Sequence, residues 1–218
     1  MRYFVLCCAL LTAFTANAQS IEFGVHGNIL NFSIPEEISS IAGVPPATTE
    51  TLALQEVFGV GYGGGLHFNF KLGILRLRLA GDYNMISPDN AKFQTYLAQY
   101  VGTSASAFRV EGGKITIYGG EVNLKITILP IPVFQPYIAG GIGWSHVKAE
   151  ETKVTYNNVP LTPIKLIDEQ NVMTLNAGVG ADFVLGPLSL YAEVRVTGFF
   201  LDPTTATYLP VGTFGVTF

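Results

Sequence analysis

No stretch of this chain is apolar for long enough to cross a membrane as a helix, which takes about 20 consecutive apolar residues. The longest apolar run, Tyr3–Phe14, is interrupted. Charge is scarce as well. Asp, Glu, Lys and Arg make up 13% of the 218 residues, about half the ~25% usual for soluble domains. A water-exposed surface of ordinary polarity is therefore not expected. Cysteine is confined to Cys7 and Cys8, both inside the first apolar segment. Beyond that segment no disulfide or thiolate metal site can form. Basic residues do not cluster: 12 Lys and Arg stand against 16 Asp and Glu, with no interleaved aromatics, which excludes a nucleic-acid partner.

The N-terminus reads as an export signal. Arg2 supplies a positive start, Tyr3–Thr15 an apolar segment, and Ala16-Asn17-Ala18 a small-residue cleavage site. Residues 1–18 are expected to be removed, and residues 19–218 to form one domain starting at Gln19. Leu6 before Cys7 is not the small residue that lipid attachment to cysteine requires, so no acyl anchor is expected. Removing Arg2 leaves 11 basic against 16 acidic residues, a net charge of −5.

Mean hydropathy is +0.38, and the apolar residues fall on alternate positions. Phe58, Val60, Tyr62, Leu66, Phe68 and Phe70 are separated by Gly59, Gly61, Gly63, Gly65, His67 and Asn69. A period of two gives a strand one apolar face and one small or polar face. The same pattern appears around Phe23, Leu77, Ile138, Val179, Val194 and Phe214, giving about eight strands. Strand four is irregular: Ile115 and Ile117 are apolar at odd positions, Tyr118, Val122, Leu124, Ile126 and Ile128 at even ones. Either a β-bulge near residue 117 flips the later side chains, or Arg109–Ile117 projects above the membrane, where alternation need not hold.

Connections are expected to alternate long and short. Long polar stretches cover 33–56, 87–107 and 148–171, with a moderate one at 199–207. Tight turns fall at Lys71-Leu72-Gly73, Leu129-Pro130-Ile131-Pro132 and Gly186-Pro187. Short turns on one side and long loops on the other are the habit of outer-membrane barrels. An open sheet edge in lipid would leave unpaired backbone groups, so the last strand must close onto the first.

The polar face decides which side looks inward. It is rich in Gly, Asn, Thr and Ala with spaced charges, which suits a cramped interior better than a solvated exterior. The expected aromatic girdles are Phe23, Phe68, Phe70, Phe183 and Phe218 at the turn end, and Phe58, Tyr83, Trp144 and Tyr208 at the loop end. The fold expected is all-β: an eight-stranded antiparallel up-and-down transmembrane β-barrel.

Several segments carry a family resemblance: Pro136-Tyr137-Ile138-Ala139-Gly140-Gly141-Ile142-Gly143, Asn176-Ala177-Gly178-Val179-Gly180-Ala181-Asp182-Phe183, Tyr191-Ala192-Glu193-Val194-Arg195 and Leu209–Phe218. Together they resemble the small outer-membrane β-barrel domains of Gram-negative bacteria, the OmpA- and OmpX-type barrels. The resemblance implies the fold, a bacterial outer-membrane location, and contact with outer-membrane lipids and lipopolysaccharide. It further implies that barrel-assembly machinery reads the last strand through Phe218. No peptidoglycan-binding domain is expected after the barrel. The resemblance implies no single activity.

The expected inner face carries Glu22, His26, His67, Lys71, Arg76, Arg78, Asp82, Glu121, Lys125, Asp182, Glu193 and Arg195. Charges enclosed by apolar walls must pair, so a self-neutralising plug is expected rather than a pore, which would show a ring of one sign. His26 and His67 should meet on adjacent strands by hydrogen bonding, with no third metal ligand in view. Ser145 and His146 are neighbours in sequence and so point to opposite faces, which disfavours a Ser–His dyad. The glycine-rich pieces precede no helix and are not phosphate loops. Glu36, Glu37, Glu50 and Glu56 make the first loop acidic, and the third mixes Lys148, Lys153 and Lys165 with Glu150, Glu151, Asp168 and Glu169. No catalytic, cofactor or metal residue is assigned. The functional expectation is a non-catalytic structural or surface-interaction protein acting through its outer loops. The alternatives are a narrow channel and a lipid A-modifying enzyme.

Overall fold

The computed structural model describes residues 20–31, 37–38, 52–53, 57–161, 163, 167–202 and 205–218. The expected signal segment, and Glu36, Glu50, Glu56 and Lys165 of the loops, lie outside them. In chain order the strands are β1 (Ser20–Asn31), β2 (Glu37–Ile38), β3 (Leu52–Ala53), β4 (Val60–Leu72) and β5 (Leu75–Ile86). Helix α1 (Asn90–Val101) follows. After it come β6 (Phe108–Gly112), β7 (Ile115–Thr127), β8 (Phe134–Ala149), β9 (Thr152–Tyr156), β10 (Val159–Pro160), β11 (Gln170–Leu185), β12 (Leu188–Asp202) and β13 (Thr205–Thr217).

Eight of these strands close a barrel in the order β1-β13-β12-β11-β8-β7-β5-β4. Every pairing is antiparallel, and the seam runs from Gly24 opposite Thr217 to Leu30 opposite Val211. Closure pairs every strand edge, as lipid demands. Three tight connections lie at one end. Two of them turn through Gly73 (φ 63°) and Gly186 (φ 69°), a backbone conformation that a side chain would strain. β1 starts and β13 ends at this same end, since Ser20 lies opposite Lys71 and Gly24 opposite Thr217.

Alternation places the faces as the sequence implies. Ile21, Leu66, Tyr83, Val122, Ile142, Val179, Val194 and Phe214 are exposed on the outer wall. His67, Arg78, Lys125, Asp182, Glu193 and Thr213 are buried inside. The girdles form at both rims, with Phe23 packed on Phe68 (ring centres 5.3 Å apart), Phe134 on Phe183 (5.1 Å) and Tyr83 stacked on Tyr118 (6.5 Å). One expected member is absent from the girdles: Phe58 is buried within an inner apolar cluster. Phe70 has the outward parity of Phe68 but is covered.

Of the two alternatives for strand four, the β-bulge is absent. β7 pairs with β5 in one unbroken register from Leu75 opposite Ile126 to Ile86 opposite Ile115. Odd positions face inward throughout, so Ile115 and Ile117 point into the barrel. Their apolar character has another cause: the interior changes chemistry near the loop end. Leu30, Ile86, Ile115, Ile117, Val147, Ala149, Val172, Phe199, Leu209 and Val211, all on barrel strands, are buried there together, and Phe58 and Ile167 join them from the loops. The strands reach 16 residues in β8 and β11, longer than a tilted crossing of about 9–11 residues needs. Their outer parts carry this apolar layer.

Three stretches expected as loop contain folded segments. Within 33–56, β2 pairs with β3, Glu37 opposite Ala53. Residues 87–107 contain α1. The Asp89 side chain accepts from the backbone N–H groups of Ala91 and Lys92 at its start, and Gly102 (φ 71°) ends it in the left-handed conformation. Residues 150–160 supply β9 and β10, which join β6 in a three-stranded sheet ordered β10-β9-β6. Phe93, Leu97, Ala98 and Tyr100 of α1 pack with Val57, Phe108, Val110 and Val154 into a second apolar core. This unit forms a cap at the loop end. The strands also run further than expected here: β12 runs to Asp202 and β13 begins at Thr205, with Asp202 paired to Thr205.

Candidate functional site

The barrel interior is a layered ionic lattice. Nearest the turn end, Lys71 pairs with Glu22, and both are partly exposed. One level in, Asp182 receives Arg76 Nη1 at 2.7 Å and Lys125 Nζ at 3.4 Å. Above it Glu193 Oε2 accepts from Tyr137 Oη at 2.8 Å and from Arg78 Nη1 at 3.3 Å. Lys125 Nζ sits 3.5 Å from the centre of the Tyr137 ring, and the Arg78 guanidinium 4.4 Å from that of Tyr191, so both cations are further held by aromatic faces. Next, Arg195 pairs with Glu121, and its second terminal nitrogen lies 3.9 Å from Asp82. Glu121 also accepts from Asn123 at 2.7 Å and Asn176 at 3.1 Å.

Leaving the histidines aside, these groups are five cations (Lys71, Arg76, Arg78, Lys125, Arg195) and five anions (Glu22, Asp82, Glu121, Asp182, Glu193). Each charge has a partner of opposite sign, the condition for holding ions away from water. All twelve inner-face residues expected from the sequence lie inside. The neutral members Asn28, Asn69, Asn84, Asn123, Asn176, Tyr137, Tyr191 and the buried threonines share strand parity with the charged residues and lie inside with them. Parity puts them on the polar face, but which charge each one meets is not written in it.

Beside the lattice runs a second chain of contacts. Thr217 Oγ1 lies 3.0 Å from His67 Nε2, His67 Nδ1 lies 3.2 Å from His26 Nδ1, and His26 Nε2 lies 2.8 Å from Asp82 Oδ1. Asn28 Nδ2 donates to the same Asp82 oxygen at 2.6 Å. Gly24 makes room for it: a Cβ there would strike the His67 ring and the Val216 carbonyl. The histidines thus meet by hydrogen bonding as expected. Among the described residues no group of three or more His, Cys, Asp or Glu is placed to hold a metal ion.

On β8, Ser145 faces the interior while His146 faces outward. His146 packs on Tyr118 (ring centres 4.9 Å apart) and contacts Asn171 Oδ1 and Glu169 Oε1, each at 3.0 Å. The two side chains cannot meet across the strand. Outside, the exposed charges are mixed in sign: Arg109 pairs with Glu111 at 2.7 Å and Lys114 with Glu150 at 3.7 Å.

A buried, paired ionic interior wrapped in an apolar belt decides the class, because only hydrocarbon favours such an exterior. The chain is a transmembrane β-barrel of the small eight-stranded kind. In fold it is similar to Neisserial surface protein A (TM-score 0.47, 11% identity, 91% of this chain and 98% of that one). It is also similar to the N-terminal barrel domain of Pseudomonas aeruginosa OprF (TM-score 0.41, 12% identity, 91% and 96%). A third similar structure is a major outer membrane protein from Thermus thermophilus (TM-score 0.45, 16% identity, 92% and 99%). No protein-family model and no curated protein sequence matches the chain.

Proposed function

We propose that this barrel is an exported, non-catalytic outer-membrane protein whose sealed wall anchors a folded cap that meets a partner at the cell surface. The observation that carries the reading is the cap's own apolar core, built from Val57, α1, β6 and β9. Loops that served only as solvated connections would have no reason to bury Phe93, Leu97, Phe108 and Val154 together. A rigid cap holds its exposed side chains in one arrangement, which lowers the ordering cost of binding. Outer-membrane lipids and lipopolysaccharide surround the wall. Assembly machinery reads β13 and Phe218, and the export signal of residues 1–18 delivers the chain.

The test compares the refolded barrel with a variant in which residues 90–111 and 152–160 are replaced by short Gly-Ser turns. Both are presented to lipopolysaccharide vesicles and to arrays of surface glycans and proteins. Binding by the capped form alone is expected. Equal binding by both forms would remove the cap from the function. Mass spectrometry of lipid A after incubation with the barrel is expected to show no change, and a shortened acyl pattern would make it an enzyme.

A further inference from the structure

The two faces of the barrel wall exchange character near the loop end. A rim of large exposed side chains crosses three neighbouring strands there: Tyr118 on β7, Trp144 on β8 and Met173 on β11, with Met173 opposite Trp144. Below the rim the outward side chains Val122, Ile142 and Leu175 are apolar, and the inward ones, Glu121, Asn123 and Asn176, are polar. Beyond the rim the order is reversed. Among the described residues, every outward position of these three strands is then polar: Thr116, His146, Lys148 and Asn171. The inward side chains Ile115, Ile117, Val147, Ala149 and Val172 are apolar and buried. β1 and β5 repeat the exchange, where exposed Asn31 and Ser87 follow buried Leu30 and Ile86. The inner face is not wholly apolar at this height, since Thr207 lies opposite Phe199 and Gln170 opposite Val147.

The exchange has a physical cause. An apolar exterior is favourable only against hydrocarbon, and an outward Lys148 is costly there. In water the same closed sheet gains stability by burying apolar side chains within. Tyr and Trp rings settle at the boundary between the two solvents. The strands continue well past that boundary. Ala149 ends β8, five residues beyond Trp144, a rise of about 13 Å at about 3.3 Å per residue and a tilt of about 40°. The headgroup zone adds only about 5–8 Å on each side of the hydrocarbon. The apolar interior also runs on into the cap. Val57 belongs to the cap core and its chain neighbour Phe58 to the apolar layer. Asp89, at the start of α1, donates its backbone N–H to the Val57 carbonyl at 2.7 Å.

We infer that the outer leaflet ends at the Tyr118–Trp144–Met173 rim, and that the barrel above it is an inverted collar forming one extracellular body with the cap. The outer face of the collar, Thr116, His146, Lys148 and Asn171, meets polar headgroups and water instead of acyl chains. The cap stands clear of the headgroups. The surface offered to a partner then includes the collar wall as well as the cap, a consequence that rests on the function proposed above.

No cysteine follows Cys8, so nitroxide labels can be placed singly at Val122, Ile142, Lys148 and Asn171 of the barrel in lipid bilayers. Collision of each label with oxygen, which concentrates in hydrocarbon, is compared with collision with a water-soluble nickel chelate. The nickel-to-oxygen ratio is expected to be at least fivefold higher at Lys148 and Asn171 than at Val122 and Ile142. Equal ratios at the four positions overturn the boundary, whether or not the cap binds a partner. A second reading tests the shared interior. Val147→Asp puts a carboxylate inside the collar. Trypsin cleavage of the cap at Lys92 and Arg109 is expected to quicken at least tenfold while the barrel keeps its compact electrophoretic form. Unchanged cleavage overturns the single body, and a variant that no longer inserts shows the layer to be part of the membrane-embedded wall and overturns the collar.

Discussion

At the scale of single residues the barrel depends on charge pairing rather than on apolar packing. Asp182 is the clearest case, since one buried carboxylate holds both Arg76 and Lys125. Asp182→Asn keeps the shape but leaves two cations with no other carboxylate at hydrogen-bond distance among the described residues. Removing one partner of a buried pair costs about 3–5 kcal/mol. Unfolding in urea, followed by the loss of the compact electrophoretic form in lipid vesicles, should show a drop of that size. Adding Lys125→Met removes one stranded cation and should recover part of it. A loss below about 1 kcal/mol would mean that the lattice fills space without stabilising the barrel.

At the scale of elements β7 is instructive. Read alone, its apolar positions switch parity between Ile117 and Tyr118, and a bulge is the economical explanation. The strand is regular, and what changes along it is the environment of its inner face, from ionic lattice to apolar layer. The chain has no cysteine after Cys8, so single-cysteine variants report cleanly. In the folded barrel Tyr118→Cys should react with a lipid-soluble maleimide, and Ile117→Cys should be protected. Equal reaction of both would restore the bulge. Helix α1 was legible in principle. Asp89 caps it, and Phe93, Leu97 and Tyr100 recur at helical spacing. The polar residues between them masked the signal, because in a barrel sequence a polar stretch between strands reads as loop.

At the scale of the whole molecule the orientation of the two faces governs everything else. Val194 is 65% exposed near the middle of β12, and its neighbours in the chain, Glu193 and Arg195, face inward into ion pairs. Val194→Arg would put a cation into hydrocarbon at a cost of about 2–4 kcal/mol near the midplane. The unfolding midpoint in thin-chain lipid should fall accordingly. An unchanged midpoint would place this face in water.

The alternation of Leu77 with Arg78, Val194 with Glu193 and Phe214 with Thr213 is a local property, carried by the two-residue repeat of a strand. For that reason the sequence alone determined the barrel, its two faces and its inner charges. Partners within the lattice, such as Arg76 with Asp182 across 106 residues, depend on how strands stagger around a closed sheet. The apolar layer likewise gathers residues from several strands, and the cap packs α1 with β6 and β9 in one core. Those arrangements exist only once the sheet has closed, because distance along the chain holds no record of which strands become neighbours in height.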